Sequence, residues 1–356
     1  MRRLLAINPG STSTKIAIFE DTTLTLEHVL RHSSEELATY SRIAEQYEFR
    51  KLAVQGALEQ AGVSVADLDA VVGRGGVLKP IQGGTYLVNE AMLTDLRTGV
   101  YGEHASNLGG LLAYDIAQSV GVPAFIVDPV VVDELQPVAR LTGLPQVSRK
   151  SIFHALNQKA IARRAAAELG KSYTELNLVV AHLGGGISVG AHHHGRVIDV
   201  NNALDGDGPF SPERSGGLPA ADLVHLSFSG QYTEPAMRKL LVGRGGLVAY
   251  LGTNDGREVV KSIKAQDKQA SLVYEAMAYQ VAKEIGAAAA ALCGKVDAIV
   301  ITGGLAYDQD YLVRWIVERV AFIAEVLVYP GEDELMALAE GALRVLNCEE
   351  TAKQYV

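Results

Sequence analysis

Short apolar runs alternate with turn-rich breaks from the first residues of the chain onward. Residues 3–8 hold the run Leu4-Leu5-Ala6-Ile7, which predicts a buried strand. Pro9 to Ser13 reads as a loop rich in turn residues. Lys15 to Phe19 predicts a second strand, Glu20-Asp21 a turn, and Leu24 to Leu30 a third strand. Ser33 and Glu36 have capping-box spacing. Leu37, Tyr40, Ile43, Ala44 and Tyr47 follow at helical intervals, so one helix is expected there.

The same plan returns later. Asn177 to Leu183 predicts a strand, Gly184-Gly185-Gly186 a loop and Ile187 to Ala191 a strand. His194-Gly195 then predicts a hairpin turn, and Arg196 to Val200 a third strand. A second echo is Asp69-Ala70-Val71-Val72-Gly73-Arg74-Gly75-Gly76 against Asp297-Ala298-Ile299-Val300-Ile301-Thr302-Gly303-Gly304. Both segments are buried strands ending in Gly-Gly. Two echoes in the same order predict an internal duplication, two similar α/β domains, and a ligand in the cleft between them. The alanine-rich stretch Lys268 to Leu292 predicts an amphipathic helix, either core or interface.

Composition narrows the setting. The chain has 356 residues, 48% of them apolar and 21% charged, which suits a large folded protein rather than a disordered one. A net charge of −9 argues against general affinity for a nucleic-acid backbone. Two cysteines, Cys293 and Cys348, are too few for a disulfide framework, and both are expected as small core residues in a reduced cytoplasmic setting. The N-terminal apolar run is too short for a signal peptide, and no stretch is long enough to span a bilayer.

An acidic protein that binds a polyanion must gather its positive groups in one place. The loop Asn8-Pro9-Gly10-Ser11-Thr12-Ser13-Thr14-Lys15 offers amides, four hydroxyls and an ammonium group, although its spacing is not that of a Walker A loop. His182-Leu183-Gly184-Gly185-Gly186 lets backbone approach a phosphate chain and adds an imidazole donor. Arg74, Arg214 and Arg244 each sit beside glycine or a turn, where a guanidinium can grip carboxylate or phosphate oxygens. Asp128 ends the apolar run 123–127, and His154 opens a helix. The triplet His192-His193-His194 cannot converge on one metal, because neighbours alternate faces along a strand; it reads as a solvated hairpin end.

The residue 8–15 loop, Gly73-Arg74-Gly75-Gly76, Val127-Asp128, His154 and His182 to Gly186 together resemble the acetokinase family in order and spacing. So do Arg214-Ser215-Gly216, Ile301 to Gly304 and Pro330-Gly331-Glu332-Asp333-Glu334-Leu335-Met336. The resemblance spans essentially the whole chain. Within the family it is closer to the butyrate and branched-chain fatty acid kinases than to the acetate kinases. The latter are longer and carry Asn where this chain has Gly185.

The resemblance implies a duplicated two-domain actin-like (ribonuclease H-like) fold. Residues 1–150 with 331–356 would form one domain, and 151–330 a second, nucleotide-binding one. It implies catalytic roles for Arg74, Asp128, His154, His182 and Arg214. It places ATP or ADP against Ser11, Thr12, Ser13, Lys15, Gly184, Gly185, Gly186, Gly303 and Gly304, with Asn254 and Asp255 near the adenosine. Mg²⁺ falls to Asn8 and Glu334, Asp333 being the alternative. The expected reaction is direct in-line phosphoryl transfer between ATP and butyrate, in either direction, by a homodimer or multiple of dimers. Isobutyrate, propionate and acetate are alternative acceptors. A non-enzymatic ATP-binding protein of actin or Hsp70 type is the distant alternative, and no G-x-G-x-x-G after the first strand supports a dehydrogenase.

Overall fold

The computed structural model describes all residues, Met1–Val356. Its strands are β1 (Arg3–Pro9), β2 (Ser13–Glu20), β3 (Thr23–Arg31), β4 (Ala70–Arg74), β5 (Thr85–Leu87) and β6 (Ala124–Val127). They continue as β7 (Asn177–Leu183), β8 (Ile187–His193), β9 (Arg196–Val200), β10 (Ala298–Gly303), β11 (Val326–Pro330) and β12 (Lys353–Gln354). The chain divides into two compact units, Met1–Val132 with Asp333–Val356, and Asp133–Glu332.

The first unit is built on a seven-stranded sheet of order β12-β5-β6-β4-β1-β2-β3. β1 pairs antiparallel with β2 and parallel with β4, and β4 pairs parallel with β6. Helices cover both faces, so the central strands read as unbroken apolar runs. Leu5, Ile7, Val71 and Ile126 pack with the helix Asn107–Val120 in one core cluster. The opposite face meets the helix Glu334–Leu346, whose Gly341 lies against Val127.

The second unit has a five-stranded sheet of order β11-β10-β7-β8-β9. Val179, Ala181, Leu183, Ile299 and Ile301 pack against the helix Lys268–Ala291, in which Tyr274, Met277, Val281 and Ile285 are wholly buried. That face of the helix is core. Leu178, Val180, Ala298 and Val300 pack on the other side with the helix Ala155–Glu168.

The duplicated α/β plan expected from the two echoes is present, and it extends to single hydrogen bonds. The order β3-β2-β1-β4-β6 matches β9-β8-β7-β10-β11 strand for strand, with the same antiparallel and parallel pairings. The amide of Asp69 donates to the Arg3 carbonyl at 2.8 Å, while the Asp69 carboxylate accepts from the Arg3 amide at 2.7 Å. Asp297 and Asn177 exchange the same two bonds, both at 2.8 Å. These clamps equate Arg3 with Asn177, and counting five residues on equates Asn8 with His182. Both expected site residues thus leave the same strand end in the two copies.

Three local expectations need correction. The capping box Ser33–Glu36 forms, but its helix is only Ser34–Leu37. Glu45 then accepts from the Ser41 and Arg42 amides and starts a new turn, so the main helix is Tyr47–Gln60. Cys293 and Cys348 are exposed rather than core; each has a left-handed backbone just beyond a helix end. His192 is buried, and of the triplet only His193 and His194 are exposed. Both faces of β8 are covered up to His192, whose ring lies between Tyr173 and Gln158.

Candidate functional site

In the first unit, Arg74 ends β4 and Asn8 nearly ends β1, so adjacent parallel strands deliver both to one sheet edge. Gly73 permits this placement, because a Cβ there would overlap the backbone of Gly109 at the start of the helix Asn107–Val120. The half-buried Arg74 guanidinium pairs with Glu334 and lies 3.4 Å from Asn8 Oδ1. Asn8 Nδ2 donates to Glu334 Oε2 at 2.6 Å. Asp333 is engaged differently: it caps the helix Glu334–Leu346, its Oδ1 accepting from the Met336 amide at 3.1 Å. The Asn8 carboxamide oxygen and the Glu334 carboxylate are hard donors of the kind Mg²⁺ takes beside nucleotide phosphates. The donor set fits that ion, with Arg74 sharing it.

Asp128 follows β6 in a left-handed backbone, φ 37°, uncommon for a residue with a Cβ. Its carboxylate is buried and accepts from the Gly84 amide at 2.6 Å, and its own amide donates to the Gly84 carbonyl at 3.1 Å.

The loop between β1 and β2 is organised by a residue the sequence reading did not single out. Arg50, wholly buried on the helix Tyr47–Gln60, donates to the carbonyls of Gly10 (2.9 Å), Ser13 (3.1 Å) and Ser11 (3.2 Å) and to Thr14 Oγ1. Burial holds its pKa below the usual arginine value. Ser11, Thr12 and Lys15 are exposed, and Ser13 is half-buried. A cation on the carbonyl side of a loop polarises its amides toward an anion on the other side.

In the second unit, His182 nearly ends β7 and is buried; its Nδ1 lies 2.8 Å from Asn157 Oδ1 and its Nε2 3.1 Å from Glu332 Oε1. His154 stands at the N-cap of the helix Ala155–Glu168 and stacks on His182, ring centroids 3.8 Å apart and planes 10° from parallel. The structure therefore joins two histidines that the sequence separates by 28 positions. The same helix turn presents Asn157 and Gln158. Polar residues at i, i+3 and i+4 in an otherwise alanine-rich helix were the readable signal for them.

Gly184 to Gly186 follow His182. The Gly184 amide donates to the Gly186 carbonyl at 3.1 Å, and Ser211 Oγ donates to the Gly185 carbonyl at 2.6 Å. Gly186 has no side chain because the Arg214 guanidinium fills that space; an added Cβ would overlap Arg214 Nη1. Arg214 also donates to the Ala203 carbonyl. Burial lowers its pKa, partly offset by Glu213 and Asp205. Gly303, at the end of β10, exchanges backbone bonds with Gly331.

Asn254 Nδ2 donates to Glu213 Oε1 at 2.5 Å. Asp255 caps the helix Gly256–Lys264 and pairs with Arg257, whose hydrogen bonds hold the Asp255 pKa down at about 2. A 560 Å³ cavity opens beside it, walled by Arg257, Val260, Tyr274, Gly304, Leu305 and Tyr307. Arg244 lies instead on the rim of a 630 Å³ pocket with Tyr250 and Leu272, apart from the histidine pair. No helix is long and apolar enough to cross a membrane.

The model of the acetokinase family matches residues 144–336. Among solved structures, the acetate kinase of Porphyromonas gingivalis is similar over 97% of this chain and 100% of its own, at 21% identity and a TM-score of 0.78. A propionate kinase from Francisella tularensis subsp. tularensis SCHU S4 is similar over 96% of this chain and 99% of its own, at 19% identity and a TM-score of 0.72. The acetate kinase of Entamoeba histolytica gives 16% identity and a TM-score of 0.73 over 96% and 99%. At such identities these likenesses establish the fold.

Proposed function

The chain belongs to the acetokinase family of carboxylate kinases, and we propose that its acceptor is a short-chain fatty acid, butyrate first, which ATP phosphorylates to the acyl phosphate; in the reverse direction the acyl phosphate gives its phosphoryl group to ADP. One observation carries the reading of the site: an arginine, Arg214, lies in the space kept clear by Gly186, in a glycine loop that begins at His182. An N–H fork, exposed backbone and an imidazole in one place suit phosphoryl oxygens.

A carboxylate is ionised at neutral pH, so it needs no strong base to attack phosphorus. The work is positioning and charge neutralisation. Arg74, Arg214 and His182 supply positive charge or N–H donors to the oxygens of the transferred group. His154 supports His182 through their stack, and Asp128 shapes the acceptor side. The loop 11–15 over Arg50 and the glycines at 184–186 and 303–304 hold nucleotide phosphates. The cavity beside Asn254 and Asp255 takes the adenosine. Asn8 and Glu334 would hold Mg²⁺, which supplies neutralisation of phosphate charge. Protomers pair as dimers or multiples of them, and the protein works in the cytoplasm.

The acid preference follows from likeness to the butyrate and branched-chain fatty acid kinases, through the compact N-terminal half and Gly185. It is tested by trapping acyl phosphate as hydroxamate with acetate, propionate, butyrate and isobutyrate. The expected order of kcat/KM has butyrate first. One methylene changes such ratios by about 10–200-fold, so neighbouring acids retain activity. Acetate or propionate ranking first would overturn butyrate while leaving the carboxylate kinase intact.

A further inference from the structure

The buried histidine of the triplet, His192, belongs to a hydrogen-bonded chain that ends at His154. Tyr173 Oη lies 2.7 Å from His192 Nδ1, and His192 Nε2 lies 2.9 Å from Gln158 Oε1. Gln158 Nε2 lies 3.0 Å from the Ser188 carbonyl and 2.8 Å from Ser188 Oγ. Ser188 Oγ lies 2.9 Å from His154 Nδ1. Gln158, Ser188 and His192 are fully buried.

The donors in this chain can be assigned one by one. A backbone carbonyl only accepts, so the Ser188 carbonyl fixes the Gln158 amide with its nitrogen toward Ser188. The second amide hydrogen then goes to Ser188 Oγ. That hydroxyl cannot donate back to an amide nitrogen, and a buried hydroxyl proton needs an acceptor, which His154 Nδ1 provides. On the other side, Gln158 Oε1 only accepts, so His192 carries its proton on Nε2 and accepts from Tyr173 on Nδ1. Every bond points from Tyr173 toward His154. Burial keeps His192 uncharged, aided by Lys159 and Arg163.

We propose that Gln158, Ser188 and His192 are positioning residues that hold His154 as the neutral tautomer protonated on Nε2. Two consequences follow. A neutral ring can stack on His182 without charge repulsion. A nitrogen that bears a proton has no lone pair for phosphorus, so His154 can donate to a phosphoryl oxygen but cannot accept the phosphoryl group. This consequence for catalysis rests on the reading of the site given above.

The test is long-range ¹H–¹⁵N correlation on histidine-labelled full-length protein, with His154 signals identified by their loss in His154→Gln. The expected wild-type pattern near neutral pH is Nδ1 bare and Nε2 protonated. Gln158→Glu, nearly isosteric, offers Ser188 only acceptor oxygens. The hydroxyl then turns toward residue 158, and Nδ1 of His154 must take a proton. Turnover should fall about tenfold or more while the KM for ATP changes little. Ser188→Ala, a smaller change, should leave His154 as a mixture of tautomers. Wild-type His154 protonated on Nδ1, or both variants keeping the wild-type pattern, would overturn the proposal. An inverted tautomer with full turnover would overturn its catalytic consequence. A wild-type protein with the expected tautomer but no acyl phosphate formation would instead overturn the assigned reaction.

Discussion

At the residue scale, the arginines separate by what holds them. Arg74 is paired with Glu334 and Asn8, whereas Arg214 is part-buried and donates to a backbone carbonyl. Neither is core packing, so Arg74→Ala and Arg214→Ala should each lower turnover on the order of 10²–10³-fold with little change in thermal unfolding. Hydroxamate yield and a circular-dichroism melt check both halves of that statement. The neighbouring acids give a sharper contrast. Glu334→Gln removes the charge beside Arg74 and Asn8, and should raise the Mg²⁺ concentration needed for half-maximal rate. Asp333→Ala removes a helix cap, and should cost about 1 kcal/mol of stability with that Mg²⁺ requirement unchanged. The reverse pattern would assign the metal to Asp333.

At the element scale, one strand end does different work in the two copies. Asn8 and His182 occupy equivalent places after equivalent Asp clamps. The loops that follow differ. One is tied down by Arg50 through its carbonyls; the other is reduced to glycine around Arg214. Gly186→Ala should therefore displace the Arg214 guanidinium, as a Cβ at that position occupies its place. The expected result is a loss of turnover comparable to that of Arg214→Ala, and the double variant should add little, since both changes remove one interaction. Fully additive losses would separate the loop from the arginine. Both echoes were legible in the sequence because strands buried on two faces leave continuous apolar runs. The break at 38–42 was not, because Glu45 starts its turn through side-chain bonds to Ser41 and Arg42 that periodicity cannot register.

At the scale of the whole molecule, buried histidines link stability to pH. His32 and His192 both have pKa values below 6.5, chiefly through burial. The unfolded chain binds protons there before the folded one does. Stability is therefore full above about pH 6.5 and falls as the pH drops below it, by at most about 1.4 kcal/mol per pH unit for each histidine. Urea unfolding at several pH values from neutral to mildly acidic reads this slope. His192→Gln should remove up to one proton from it, and an unchanged slope would show that His192 does not titrate on unfolding in that range.

The sequence by itself determined the reaction family and the duplicated plan, because motif order and strand burial are written along the chain. It also singled out Arg74, His154, His182 and Arg214 as candidates for the chemistry. Only the tertiary structure decided their company. Glu332 and Glu334 read as parts of one motif, yet one meets His182 and the other Arg74. Arg50 carried no signal along the chain, yet the fold buries it under a loop of carbonyls. His192 looked like part of an exposed turn, yet the fold packs Tyr173 and Gln158 against it. The physical reason is common to all three: local patterns fix which way a side chain faces, while its partners come from segments far away in the chain.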